Sequence, residues 1–305
     1  MSIFNVIFSK TEQLNKIIIK LLFLTVVNTL YFSSSLSAQS LQETEKIRII
    51  FRGDDMGISH SSNVAIIKAY KSGLQKSAEV IVTGPWFPDA VRLLNEHPGL
   101  DVGVHLTLTS EWENLKWRPL SKSPGLTDSL GYFHPFIWPH EHYGESRSLL
   151  SNNWSLEEVE QEFRMQIELA ISTIKNVTHL SYHMGVHHMA PEVTELVKQL
   201  AVEYDLDIDL EKFGVERLSF GETLTDGEEK VNRLIEILEY LEPGNYILIT
   251  HPDLDTPATR AIHHIGYETV AKDRQSDTDM LTSNRLKEAI DNLGIRVISY
   301  ADLAK

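Results

Sequence analysis

The sequence predicts an α/β fold: a single-domain (β/α) barrel, irregular or incomplete in form. Two observations predict it. Short apolar, β-branched runs alternate along the chain with longer amphipathic segments, and no internal repeat or domain linker interrupts that alternation. An open doubly wound sheet is the competing architecture, but the chain lacks the Gly-rich phosphate fingerprint that such folds carry. The length of 305 residues suits one barrel and is ample for a full core.

The first residues belong to a different regime. Lys10, Lys16 and Lys20 face a single Glu12, an apolar run covers Leu21 to Phe32, and small residues lead to Ala38. Basic, apolar, then small is the order of a secretory signal peptide. Residues 1–38 are therefore expected to be a leader and 39–305 the folded domain, secreted or periplasmic. The apolar run is about a dozen residues, short of the roughly 20 that span a bilayer. No stable membrane span is expected after cleavage; an uncleaved leader acting as an anchor is the alternative. No cysteine is present, so there is no lipobox.

Within the domain, Ile47 to Phe51 reads as a buried strand and Arg52-Gly53-Asp54-Asp55 as the loop after it. Residues 61–72 read as a helix closed by Gly73, Glu79–Val82 as a strand, and Phe87 to Leu94 as a helix ending before Pro98-Gly99. Asp101–Leu108 is a third strand. Residues 110–150, rich in Trp, Pro and His, are too long for an ordinary connection and read as a lid-like insertion. Ser155-Leu156-Glu157-Glu158 is a capping box that opens a helix. Thr178–His183 is a strand, and Pro191 begins a helix reaching about Glu203. A short strand is expected at Asp207–Leu210, a helix over Glu228–Leu241 and a strand at Tyr246–Thr250. A loop over 252–278, a helix to Gly294 and a strand Arg296–Ser299 complete the chain.

Composition narrows the chemistry. The formal charge of −15 disfavours nucleic acid and anionic membrane surfaces as partners. Without cysteine, thiol nucleophiles, Cys zinc sites and iron–sulfur clusters are excluded. Any metal site must be built from His, Asp and Glu, and the chain has 13 His.

The position of these residues is the informative feature. Asp54 and Asp55 follow the first strand, His105 lies near the end of the third, His183 ends the Thr178 strand, and His251 ends the Tyr246 strand. Strand ends of a parallel α/β sheet point to one face, where barrel sites are assembled. Singly, each residue suits a structural role; together they suggest a site. Two His and one carboxylate (Asp55, His105 and His183) suit one borderline divalent ion with room for water. Asp54 beside them suits a general base, and His251 a proton donor to a leaving group. His187 and His188 lie just beyond, and the other histidines read mostly as surface or structural.

These motifs resemble the YdjC/ChbG-like carbohydrate deacetylases, a family related to polysaccharide deacetylases. Ile50-Phe51-Arg52-Gly53-Asp54-Asp55-Met56-Gly57 resembles its N-terminal "ADDFG" signature, and Pro98 through Thr109 resembles its "PGLDVGVHLTLT" almost letter for letter. Thr178-His179-Leu180-Ser181-Tyr182-His183 resembles its "SHLDSHHH", and Thr250-His251-Pro252 its late "CHPG". The resemblance implies an irregular (β/α) barrel that removes N-acetyl groups from an amino sugar or oligosaccharide, with one divalent metal ion (Zn, Mg, Mn or Co). Carried over, Asp54 matches the base, Asp55, His105 and His183 the metal ligands, and His251 the late catalytic His.

The sequence also departs from the pattern. Two histidines of the family's His-rich run are replaced in His183-Met184-Gly185-Val186-His187-His188, which leaves His187 as the reserve ligand. Asp253 and Asp255 stand where the family has Gly. In the insertion, Trp112, Trp117, Trp138 and Tyr143 suit either sugar stacking or core filling. The alternatives to N-deacetylation are metal-dependent hydrolysis of another amide or a phosphoester, and a noncatalytic sugar-binding protein on the same fold.

Overall fold

A computed structural model describes residues 46–305. The expected leader, residues 1–38, lies outside the described residues. The described residues form a curled, all-parallel sheet of seven strands flanked by helices, an irregular (β/α) barrel. The strands are β1 (Ile47–Met56), β2 (Ser77–Val80), β3 (Asp101–Leu106), β4 (Val177–Tyr182), β5 (Val215–Arg217), β6 (Gly244–Thr250) and β7 (Arg296–Ile298). The helices are α1 (His60–Ser72), α2 (Phe87–Glu96), α3 (Leu156–Thr173), α4 (Pro191–Glu203), α5 (Gly227–Leu238), α6 (Val270–Leu281) and α7 (Asn284–Asn292).

Strand order is β4-β3-β2-β1-β6-β5, with β7 also on β1. Strand β1 is central. One edge pairs with β6 from Ile47 to Gly53; the other pairs first with β7 at Arg48–Ile50, then with β2 from Arg52. The path ends at β4 and β5, which are not paired with each other, so the barrel is incomplete.

Alternation along the strands sorts side chains between two faces. Ile49 and Phe51 pack with Val231, Leu234, Met280 and Leu286 on the helix side. Ala78, Val80, Val102, Val104 and Leu180 do the same against α2, α3 and α4. Ile50, Ile247, Ile298 and Tyr300 form a smaller apolar group on the opposite, concave face. Further along that face the buried residues are polar: Arg52, Asp54, Ser77, Glu79, Asp101, His105, His179 and Ser181.

Four expectations need correction. Asp54 and Asp55 are not in a loop; they belong to β1, whose ladder carries them to the rim. No strand forms at Asp207–Leu210; β5 forms instead at Val215–Arg217, a short and largely exposed sheet end. The expected loop 252–278 contains most of α6. The helix expected to reach Gly294 is the separate α7, capped by the Ser283 hydroxyl. The helix caps elsewhere behave as read: Ser155 Oγ accepts from Glu158 N, and Gly73 closes α1 with φ 92°.

The insertion is partly core. Trp112, Trp117, Leu126, Phe133, Ile137 and Leu149 are buried in the cluster that also holds β2, β3 and β4. Trp112 is 2% exposed and Trp138 44% exposed, so the insertion's tryptophans divide between filling and surface.

Candidate metal centre

The end of β1 brings two adjacent carboxylates to one place. Successive strand residues normally point to opposite faces. Here the β1–β2 register shifts between Gly53 and Met56, and Asp55 takes a left-handed φ of 68°. That bulge turns Asp55 back toward the concave face, beside Asp54. Strand β3 supplies His105, and the turn after β4 supplies His183. One ligand atom from each of Asp55, His105 and His183 lies within 4.8 Å of the others, and all three residues are buried.

Hydrogen bonds set the orientation of both rings. His183 Nε2 lies 3.1 Å from Glu111 Oε2. The carboxylate only accepts, so Nε2 carries a proton and Nδ1 is the nitrogen left to face the site. That Nδ1 is 3.2 Å from Asp55 Oδ1. His105 Nδ1 lies 2.8 Å from Ser181 Oγ, and His105 Nε2 is 3.7 Å from the same Asp55 oxygen. Asp55 Oδ1 is buried and hydrogen-bonded to nothing; its approach to His183 is close but not aligned as a hydrogen bond. Its other oxygen accepts from Arg274 Nη2 at 2.7 Å. An orphaned carboxylate oxygen facing two imidazole nitrogens is the donor set a borderline divalent cation takes.

Electrostatics agree with the geometry. Burial alone would raise Asp55, but Arg274 and His183 hold it well below the usual carboxylate range. Burial pushes His105 down to about 4, so it is neutral near pH 7. Burial also acts to lower His183, yet Glu111 and Asp55 outweigh it and push that ring up to about 10 without a cation present.

Asp54 sits beside this group, with Oδ2 3.5 Å from His105 Nε2. Arg52 grips both its oxygens at 2.6 Å and also donates to the Tyr300 hydroxyl at 3.0 Å. His251 directly follows β6 and is half-buried, and its backbone N–H donates to Asp277 Oδ2 at 2.8 Å. Its imidazole is close enough to act electrostatically on Asp55. Asp277 is held in turn by the buried Lys230 amine at 2.7 Å. Asp277 thus anchors the main chain of His251, while Arg274 serves Asp55. The reserve ligand His187 is not drawn into the group; it stacks between Tyr182 and His188, with ring centroids at 4.0 and 3.7 Å.

Several participants escape a reading of motifs alone. Glu111 follows His105 by six positions, beyond the strand end. Arg52 precedes Asp54 by two, the spacing that places both on one strand face, and that signal was available. Glu79 and Ser181 show only as polar residues interrupting buried strands.

Comparison with known proteins adds a lineage. Residues 48–292 match the family described as YdjC-like protein. "Carbohydrate deacetylase 1" of Listeria innocua serovar 6a is 28% identical over 267 residues, covering 84% of this chain and 100% of that protein. A "Carbohydrate deacetylase" of Thermus thermophilus is 31% identical over 236 residues, covering 70% and 80%. The crystal structure of an Enterococcus faecalis V583 protein named for cellobiose-phosphate cleavage superposes with a TM-score of 0.66 at 24% identity, covering 85% of this chain and 99% of that one. That likeness concerns the fold.

Proposed function

The chain belongs to the YdjC-like family of carbohydrate deacetylases, and from that premise we propose that it hydrolyses the acetamide of an N-acetylated amino sugar or oligosaccharide with one divalent metal ion. The observation that carries the metal requirement is the buried, unpartnered Asp55 Oδ1 between two inward-facing imidazole nitrogens. Asp55, His105 and His183 would hold the ion, of the Zn, Mg, Mn or Co type. When bound, such an ion supplies Lewis acidity, polarising the acetyl carbonyl and acidifying water.

The remaining chemistry belongs to side chains. Water oxygen bonds to the acetyl carbon, the C–N bond breaks, and the products are acetate and the free amine. Asp54 Oδ2 takes the water proton; the two-point Arg52 clamp keeps that carboxylate from rotating away. His251, on the far side of β1, gives a proton to the departing nitrogen. Burial of Asp54, Asp55 and His105 limits access of competing water. Trp138, exposed and packed over Gly185 two residues past His183, offers an aromatic face to a pyranose ring.

The test is acetate release from N-acetylglucosamine oligomers, with and without a chelator, beside phosphate release from an ester panel. Chelator-sensitive acetate release is expected. Phosphate release without acetate would move the assignment to a phosphoesterase, and binding without turnover would make the protein a lectin-like relic. Asp54→Asn should keep metal and lose at least about 10²-fold in kcat; full activity would remove Asp54 from the mechanism. We also propose that residues 1–38 are an export leader. Protein recovered outside the cytoplasm should begin near Gln39, and an intact Met1 on exported protein would refute cleavage.

A further inference from the structure

We propose that Ser181 and Glu79 are positioning residues that fix the tautomer of His105 and thereby aim its Nε2 at the metal. The inference rests on the proposed role of His105 as a ligand and goes beyond it, to groups that touch neither ion nor substrate.

The sheet register builds the device. Glu79 on β2 is directly opposite Gly103 on β3, and Gly103 is opposite His179 on β4. One step further along, His105 is opposite Ser181. Glu79 reaches across β3 and meets His179 Nε2 at 2.9 Å through Oε1. Its other oxygen, Oε2, accepts from the Ser181 hydroxyl. A serine hydroxyl has one proton. Since Ser181 gives it to Glu79, the oxygen can only accept from His105 Nδ1, 2.8 Å away. Nδ1 is therefore the protonated nitrogen, and Nε2 keeps its lone pair for the site. Glu79, His179, Ser181 and His105 are all buried, so no solvent competes for these bonds. Glycine at 103 is what leaves room: a Cβ there would collide with Glu79 Oε2 and lie 2.5 Å from His179 Nε2. Tyr300, stacked on His179 at 3.7 Å, also accepts from Arg52. The lattice that orients His105 thus also touches the clamp on Asp54.

The experiment uses the full-length protein with selectively 15N-labelled histidine, first free of metal, then titrated with zinc. In the wild type the His105 ring should show Nδ1 protonated and Nε2 bare. Ser181→Ala should abolish that preference and weaken zinc binding about 10- to 100-fold, the usual scale for losing an outer-shell partner. Ser181→Thr, which keeps the hydroxyl, should restore both. Gly103→Ala, which displaces the Glu79 carboxylate, should reproduce the Ser181→Ala result. If Ser181→Ala keeps the tautomer and the zinc affinity while merely melting earlier, the residue is structural and the proposal is wrong. A wild type that binds no zinc would instead overturn the metal assignment, whereas the metal-free tautomer still decides the hydrogen-bond argument.

Discussion

Asp55 carries an unusual share of the site's constraints. It is 1% exposed, it adopts a backbone conformation rare outside glycine, and it has one oxygen on Arg274 and the other on nothing. Arg274 is the hydrogen-bonded cation of this buried carboxylate, which is therefore exposed to its loss. Arg274→Met should therefore cost about 3–5 kcal/mol of stability in metal-free protein, measured by urea unfolding. Saturating zinc should recover much of that loss, because a cation at Oδ1 takes over the compensation. Equal destabilisation with and without zinc would show that zinc does not engage Asp55. The residues gathered around Asp55 were legible in the sequence for a simple reason: each is an ionisable group at the end of an apolar strand. Glu111, Glu79 and Ser181 were not, because they act through another side chain and their positions acquire meaning only when strands are set side by side. Arg274 sits in what reads as the last loop, and nothing in the sequence assigns it to Asp55.

Elements differ in legibility for an equally physical reason. Helices α1, α3, α4 and α5 announce themselves because they bury apolar stripes and carry recognisable ends. Helix α6 does not: its buried face includes Arg274, Ser276, Asp277 and Thr278, so apolar periodicity fails where the helix turns toward the site. Strand β5 fails differently, with three mostly exposed residues at the sheet end. The polar side of α6 is tied to α5 by Lys230, which bonds Asp273 at 2.8 Å and Asp277 at 2.7 Å. Asp277 in turn holds the backbone of His251. Lys230→Met keeps the stem of the side chain and removes its charge, leaving two carboxylates without their cation. It should cost about 3 kcal/mol of stability and lower kcat more than it raises KM, since His251 loses its anchor and the metal group is left intact. A variant with unchanged kcat would separate this strap from catalysis.

Across the whole molecule, the interior of the barrel is where this chain departs from the common pattern. Barrel interiors are usually filled by branched apolar side chains. Here the fully buried part of that filling is Ile50, Ile247 and Ile298 with Tyr300 and Leu303, and much of the buried layer nearer the site is ionic and hydrogen-bonded. Stability held in ionised groups must depend on pH. Burial by itself would raise Glu79, but His179 and Arg52 bring it down to about 2, and Asp55 likewise lies well below its ordinary value. In an unfolded chain these carboxylates titrate near about 4. Over that window the unfolded chain binds more protons than the folded one, so stability rises with pH. The contribution is complete above about pH 4.5 and drains away as pH falls toward the folded values. His105, pushed by burial to about 4, acts in the same sense, with its loss beginning below about pH 6.5. Urea unfolding between pH 7 and pH 3 should therefore show stability falling steeply on the acid side. Glu79→Gln should be less stable than wild type at pH 7, yet its acid limb should be shallower, because one of the titrating groups is gone. An acid limb steeper in Glu79→Gln than in wild type would mean that Glu79 is already protonated in the folded state. The Ser181 hydroxyl would then no longer be forced to accept from His105, so one titration series bears both on how the barrel is held together and on how its metal ligand is aimed.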